Sequence, residues 1–360
     1  MSRAVMILAG GTGGHVYPGL AVAEALRAQG CELVWMGTRR GVEARVVPAA
    51  GVPLLTIPVT GLRRSGPWRR LGAPFTVAVA LACALVQMLR VRPRVVLGMG
   101  GFVSGPGGVA AWLCRRPLVI HEQNAIPGLT NRLLARLANR VFEAFPGTFP
   151  AARRAVSCGN PVRREIAALE PPAQRLGRHD APRVLVFGGS RGARALNASV
   201  PGGLAASGVA DLAVLHQCGE AEVVATRARY AALPGFAGVE VTAYIDDMAG
   251  AYAAADLVIA RAGAITVAEL AACGAAAILV PYPYAVDDHQ TANARYLVDA
   301  GAALLIPEHE LDATRLGAAV AHLLGDRARL VAMAEQARAL ARPDAVATVA
   351  GACLEYVDAA

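Results

Sequence analysis

Short apolar, β-rich runs alternate with longer stretches rich in Ala and Leu along the whole 360-residue chain. Continuous apolar runs of four to six residues between helices predict parallel strands buried on both faces. In the first half the candidate strands fall at Ala4–Ala9, Leu33–Met36, Val95–Leu97, Leu118–Ile120 and Val141–Phe142. In the second half they fall at Arg183–Phe187, Leu212–Leu215, Val239–Val241, Leu257–Ile259, Ala277–Val280 and Ala303–Ile306. The stretches between them predict helices. Repeated βα units of this kind build doubly wound α/β sheets.

The pattern also repeats at coarse scale. A strand followed by GGTGGH (10–15) and a helix opens the first half, and a strand followed by GGSRGAR (188–194) and a helix opens the second. At ~100–200 residues per domain, the length independently predicts two domains. The seam lies near GNPVRREI (159–166) and the Pro-rich PPAQRLGRHDAP (171–182). The expected division is therefore 1–160 and 161–341. A last helical pattern, about 342–360, suits either domain, and packing back on the first is one arrangement open to it.

One segment departs from this picture. Leu71 to Leu89 carries no charge, and Arg69–Arg70 precede it while Arg90, Arg92 and Arg94 follow. Its length is borderline for a membrane span. Its Pro74, its Gln87 and the strand directly after it speak instead for a helix on the sheet, or for one partly exposed as an apolar docking patch. Charge favours docking. Residues 60–94 hold seven Arg and no acid, and anionic lipid attracts each nearby cation by ~1 kcal/mol.

The net charge of +8 is uneven: residues 1–160 hold 19 Arg and 5 Glu, for +14, while 161–360 hold 16 Arg and 22 acids, for −6. The first half thus expects a polyanionic partner: nucleic acid, a membrane surface or a phosphorylated substrate. Aromatic residues are 5% of the chain and form no stacking motif, which counts against nucleic acid. There is no lysine, which excludes a Walker-A or Schiff-base lysine. Seven scattered cysteines without a C-x-x-C count against disulfide scaffolding and structural zinc. The first apolar run is too short for a signal peptide.

The chemistry sits in the turns after strands. GGTGGH (10–15) opens a helix, where glycines admit close backbone approach and the helix start favours anions. The dinucleotide fingerprint does not fit: the third glycine position is Val16, and no acid ends the second strand. GMGGFVSGPGG (98–108) is a second glycine turn, so the two predict a joint anion cradle. HEQN (121–124) follows the next strand, with His121 and Glu122 read as a buried polar pair that holds loops. In the second half, Ser190 lies in the glycine turn and Glu269 lies just inside the helix of RAGAITVAEL (261–270), a carboxylate suited to two ribose hydroxyls. DDHQTANA (287–294) offers His289, Gln290 and Asn293 to sugar hydroxyls.

GGTGGHVYPGLA (10–21), GMGGFVSGPGG, HEQNAIPGLTNR (121–132), GNPVR (159–163), GGSRGAR, RAGAITVAE and DDHQTANA resemble, in order and spacing, the membrane-associated glycosyltransferases of peptidoglycan synthesis. These enzymes move N-acetylglucosamine from its UDP donor onto undecaprenyl-pyrophosphoryl-N-acetylmuramoyl-pentapeptide, turning lipid I into lipid II. The resemblance implies a GT-B fold, two doubly wound Rossmann-like domains around a cleft, with no metal or other cofactor. It implies a peripheral place on the cytoplasmic face of the bacterial inner membrane, with UDP-N-acetylglucosamine, lipid I and an anionic membrane surface as partners and no nucleic acid. By the same likeness Ile245 would contact uracil through its backbone and Glu269 would hold the ribose. Ser190 and Arg163 would face the diphosphate, with backbone donors from Gly263, Ala264, Ile265, Thr266, Val267 and Ala268. Gln290 and Asn124 would hold the sugar near Thr12, Gly13 and Gly14. The family often has two glutamines where this chain has His289–Gln290, so Gln290 is the firmer of the two. The acceptor pyrophosphate would meet Gly11, Gly13, Gly14, Gly100, Gly101 and Ser104.

Inverting transfer needs a base for the muramoyl 4-hydroxyl, and His15, at the end of the first glycine turn, is the expected one. A histidine that only supports the site or the acceptor is the alternative. Two rival classes stand beside this one: a GT-B transferase or epimerase acting on soluble UDP-sugars, and a nucleic-acid binder using the basic half.

Overall fold

A computed structural model describes residues 3–59, 73–189 and 193–359. The chain divides into two units, one made of Met1–Arg163 with Pro343–Ala360, the other of Arg164–Arg342.

The first unit is built on β1 (Ala4–Leu8), β2 (Glu32–Gly37), β3 (Leu54–Thr56), β4 (Val95–Gly98), β5 (Leu118–Glu122), β6 (Arg140–Glu143) and β7 (Val156–Ser157). They form one sheet in the order β3-β2-β1-β4-β5-β6-β7, and every pair is parallel. The five strands read from apolar runs are present, each within two residues of its expected ends. Two edge strands escaped that reading. β3 has three half-buried residues and β7 two exposed ones, too short for any period.

Helices α1 (Gly13–Ala28), α2 (Glu43–Ala49), α3 (Ala73–Val91), α4 (Ser104–Leu113) and α5 (Leu129–Leu134) cover the sheet. α1 buries Val16, Val22, Ala23 and Leu26, one stripe at helical spacing. α3 turns Ala80, Ala84 and Met88 into the core, a four-residue step that matches one helix face. Its other face leaves Phe75, Val79, Val86 and Leu89 exposed, Phe75 at 75%. The uncharged segment is thus a two-sided helix of this unit. Among the described residues no helix is long and apolar enough to cross a membrane. Residues 60–72, with four of the seven arginines of that region, lie outside the described residues.

The second unit repeats the plan with β8 (Arg183–Phe187), β9 (Leu212–Gln217), β10 (Phe236–Thr242), β11 (Leu257–Ala260), β12 (Ala277–Leu279) and β13 (Ala303–Leu305). The order is β10-β9-β8-β11-β12-β13, again all parallel. Its principal helices are α6 (Arg194–Ala206), α7 (Val223–Ala231), α8 (Met248–Ala254), α9 (Ala264–Cys273), α10 (His289–Val298), α11 (Ala313–Leu324) and α12 (Arg327–Ala339). A buried arginine braces this unit. Arg175 donates to the carbonyls of Tyr252, Ala255, Cys273 and Gly274 at 2.7–3.3 Å.

The last helix, α13 (Ala345–Asp358), returns to the first unit. Its Val349, Ala350, Cys353 and Val357 enter the core beside Val22 and Leu26 of α1. Exposed pairs Arg3–Asp358 and Arg140–Glu355, both 2.9 Å, lie at its rim.

In each sheet the strand order reverses once, between β1 and β4 and between β8 and β11. Neighbouring connections leave such a point in opposite directions, which opens a crevice at the carboxyl ends of the strands. The turns after β1 and β4 are GGTGGH and GMGGFVSG; those after β8 and β11 are GGSRGAR and RAGA. Topology therefore delivers the glycine turns to the ligand-binding end of each sheet.

Candidate active site

In the first unit the two glycine turns pack backbone against backbone. Gly101 has φ +82°, and a Cβ there would collide with the Gly10 carbonyl oxygen. Gly100 has φ +93°, and a Cβ there would stand 2.9 Å from Nδ1 of His15. Only glycine serves at both places, because the conformation and the contact each exclude a side chain.

A buried carboxylate fixes the first turn from below. Glu43, fully buried at the start of α2, accepts the Gly11 N–H at 3.0 Å, the Thr38 N–H at 3.0 Å and the Thr38 hydroxyl at 2.6 Å. The one signal for this glutamate in the sequence is an acid standing alone in a glycine- and valine-rich stretch. Ser104, expected at the acceptor pyrophosphate, is spent inside the fold. It is fully buried, and its hydroxyl lies 2.7 Å from the Gly100 carbonyl and 2.9 Å from that of Leu8. It braces the second turn and has no hydrogen left for a ligand.

His15 lies in the first turn of α1, and its Nδ1 is 2.8 Å from Oε1 of Gln123. Gln123 Nε2 lies 3.1 Å from both Nδ1 and the carbonyl oxygen of His121, and His121 Nε2 lies 2.8 Å from the Gly159 carbonyl. Gln123 was not singled out from the sequence: it follows the strand directly, where a polar residue reads as loop. Glu122 works as the hub of its loop. One oxygen accepts from the Asn124 N–H and side-chain amide, the other from the Gly128 N–H and Asn131. Asn124 is held at the turn by that carboxylate. The Arg163 guanidinium sits 5.7 Å from the Tyr17 ring centroid, close to the first glycine turn. The structure thus gathers Gly11, Thr12, Gly13, Gly14, His15, Gly100, Gly101, Asn124 and Arg163 at the carboxyl end of one sheet. No side chain caps the first turn of α1, so its amide end is available to an anion.

In the second unit, Gly263 precedes α9 without a side-chain cap. Along Gly263–Glu269 the Val267 side chain is fully buried, so any ligand contact there is through the backbone. Glu269 accepts the Tyr252 hydroxyl at 3.2 Å through Oε2. Arg261, buried and overlooked in the sequence, ties three strand ends together. It donates to the carbonyls of Val280 and Pro281 at 3.2 and 3.1 Å, pairs with Glu308, and lies 5.5 Å from the Tyr282 ring centroid. Asn293 of α10 donates to the Ala262 carbonyl at 3.3 Å, which joins the DDHQTANA segment to the same turn. Gln290 Oε1 accepts the Tyr282 N–H at 2.9 Å, and the half-buried His289 donates from Nδ1 to the Val286 carbonyl at 2.7 Å. Ile245 is half-buried in the loop after β10. Ser190 lies outside the described residues. Among the described residues no group of three or more His, Cys, Asp and Glu gathers as a metal site.

Two buried imidazoles make both units acid-sensitive. Burial holds His121 and His216 down to about 4 from the ordinary 6.5. His216 is saturated by Tyr230 and Asn197, at 2.9 and 3.1 Å. The unfolded chain takes up protons near pH 6.5 that the folded chain refuses until about pH 4, so stability falls as pH drops through that window. The loss reaches about 3 kcal/mol per histidine by pH 4. Urea unfolding followed from pH 7.5 down to pH 4.5 should show a falling midpoint, and His216→Gln should flatten the slope. An unchanged midpoint across that range would contradict the burial argument.

Two parallel-sheet domains with glycine turns at their switch points define a glycosyltransferase of the GT-B type. The N-terminal domain pattern of glycosyltransferase family 28 matches residues 5–143, and its C-terminal domain pattern matches 183–349. A protein of Nitrosococcus oceani named UDP-N-acetylglucosamine–N-acetylmuramyl-(pentapeptide) pyrophosphoryl-undecaprenol N-acetylglucosamine transferase is 55% identical over 363 residues, 99% of each chain. The crystal structure of MurG from Acinetobacter baumannii is 42% identical with TM-score 0.83, covering 98% of this chain and 99% of that one. The calicheamicin glycosyltransferase CalG4 shares the fold at 19% identity and TM-score 0.66, over 99% of this chain and 98% of its own. The chain belongs to family 28 and, within it, to the UDP-N-acetylglucosamine–N-acetylmuramyl-(pentapeptide) pyrophosphoryl-undecaprenol N-acetylglucosamine transferases.

Proposed function

We infer that this chain transfers N-acetylglucosamine from UDP-N-acetylglucosamine to the muramoyl 4-hydroxyl of lipid I, forming lipid II. Full-length identity of 55% to an enzyme of that name carries the reading. Transfer of labelled N-acetylglucosamine to a lipid I analogue, with and without EDTA, tests it. Absence of transfer would reject the function, and transfer abolished by EDTA would reject only its metal-free form.

In the proposed mechanism His15 takes the hydroxyl proton as the oxygen attacks the anomeric carbon. The bond from that carbon to the UDP oxygen breaks with its electron pair on the leaving diphosphate, so the configuration inverts. Charge on the diphosphate is met by Arg163 and by the amide end of α9, residues Gly263 to Ala268. Glu269 accepts from the ribose and the backbone of Ile245 pairs with uracil. Gln290 already accepts from Tyr282, so it would reach a sugar through its NH2 donors. Asn124 holds the sugar beside Thr12. The glycine turns and the start of α1 take the acceptor pyrophosphate.

The acceptor is lipid-linked, and the first unit has an apolar surface suited to it. Phe75, Val86 and Leu89 of α3 are exposed, as are Trp112 and Leu113 at the end of α4, which packs beside α3. Arg90 and Arg92, also exposed, lie at the end of α3. Apolar insertion with nearby cations is the composition of an interfacial anchor. The reading places the enzyme peripherally on the cytoplasmic face of the inner membrane. Phe75→Glu/Leu89→Glu should weaken cosedimentation with vesicles containing phosphatidylglycerol by about tenfold or more, while leaving UDP affinity unchanged. Undiminished vesicle binding would remove α3 from the docking surface.

A further inference from the structure

The chain of contacts from Gly159 to His15 has only one consistent direction. Both of its fixed points are backbone carbonyls, which only accept. At one end His121 Nε2 lies 2.8 Å from the Gly159 oxygen, so that nitrogen carries the proton. His121 Nδ1 is then the acceptor, facing Gln123 Nε2 at 3.1 Å. In the middle, Gln123 Nε2 also faces the His121 carbonyl oxygen at 3.1 Å, which identifies it as the nitrogen of the amide. The reverse orientation would set amide oxygen against carbonyl oxygen. Oε1 therefore faces His15 Nδ1, at 2.8 Å, and that nitrogen is the donor. Both inner members are sealed, His121 fully and Gln123 to 1% exposure, so water does not compete for the bonds between them. Burial keeps His121 neutral at working pH, as the direction requires. Asn160 donates to the Gln123 carbonyl at 3.0 Å and pins its backbone, while Gly100 lies close against the Nδ1 edge of the His15 ring.

We propose that Gln123 is a positioning residue that holds His15 in its Nδ1–H tautomer, leaving Nε2 as the nitrogen that takes the proton. The proposal builds on the reading of His15 as the base and adds how its reactive nitrogen is chosen. A free imidazole samples both tautomers, and the hydrogen bond made by one nitrogen sets the state of the other. Here the choice is inherited from a buried carbonyl two residues removed, through a second histidine that never meets substrate. Gly159 lies two residues past the end of β7, so the position of a sheet edge is transmitted to the base.

Ring-nitrogen NMR of the full-length protein with 15N-labelled histidine tests this, with the His15 signals assigned by their absence in His15→Ala. The expected wild-type spectrum at neutral pH shows His15 protonated at Nδ1 and unprotonated at Nε2. In Gln123→Met the signals should move to the mixture of a free imidazole. There kcat should fall tenfold or more, inside the ~10²–10⁴ that a positioned base supplies, with the KM for UDP-N-acetylglucosamine within about twofold. A wild-type His15 protonated at Nε2 overturns the proposal, as does an unchanged tautomer in Gln123→Met. If Gln123→Met does not fold, the wild-type spectrum decides. Full turnover of His15→Ala would reject the base reading alone and leave the tautomer assignment standing.

Discussion

His15→Ala should lower kcat by about 10²–10⁴ while leaving the KM for UDP-N-acetylglucosamine within about threefold. The split follows from where the residue sits. His15 belongs to the glycine turn after β1, in the first unit, and its Nδ1 is occupied by Gln123. The uracil and ribose contacts proposed above, Ile245 and Glu269, belong to the second unit. Removing the imidazole therefore takes away proton acceptance without touching ribose or uracil contacts. It also leaves Gln123 Oε1 with space in front of it that water can fill, so the fold should survive. Steady-state kinetics on a lipid I analogue decide the matter. Wild-type turnover would make His15 a supporting residue, and a large rise in donor KM with unchanged kcat would move it to the donor site.

Glu269→Ala should act in the opposite sense, raising the donor KM by about 10²–10⁴ and changing kcat at saturation much less. Two ribose hydroxyls on one carboxylate are charge-assisted bonds, each worth ~1.5–3 kcal/mol. Tyr252 already donates to Oε2 at 3.2 Å, which fixes the carboxylate before any nucleotide arrives. Glu269→Gln keeps one accepting oxygen and should fall between wild type and alanine. Titration calorimetry with UDP separates this loss from catalysis. An unchanged UDP affinity in Glu269→Ala would remove the ribose assignment.

The interior strands were legible because a parallel strand covered on both faces is apolar without interruption, as in Val95–Gly98 or Leu257–Ala260. β10 was read as three residues and has seven, because at the sheet edge four of its residues are exposed and break the run. The glycine turns were legible for a related reason: positive φ and close approach leave glycine as the one choice, and the choice is visible as a letter. What holds those turns was not legible. Glu43, Gln123 and Arg261 are ordinary surface residue types, and only the fold shows that each is buried with its polar atoms on backbone groups. The partners of the Ser104 hydroxyl were hidden for the same reason. A serine in a glycine turn suits an anion as well as it suits a neighbouring carbonyl, and its partner, the Leu8 oxygen, lies 96 positions away.

The return of α13 to the first unit bears on the order in which the chain folds during synthesis. Domains that emerge first ordinarily fold first. Here the second unit is one continuous stretch, complete once residue 342 has left the ribosome. The first unit still lacks Val349, Cys353 and Val357 against its core at that moment. The domain translated first is thus the last to close. Until it does, the apolar face of α1 awaits its cover.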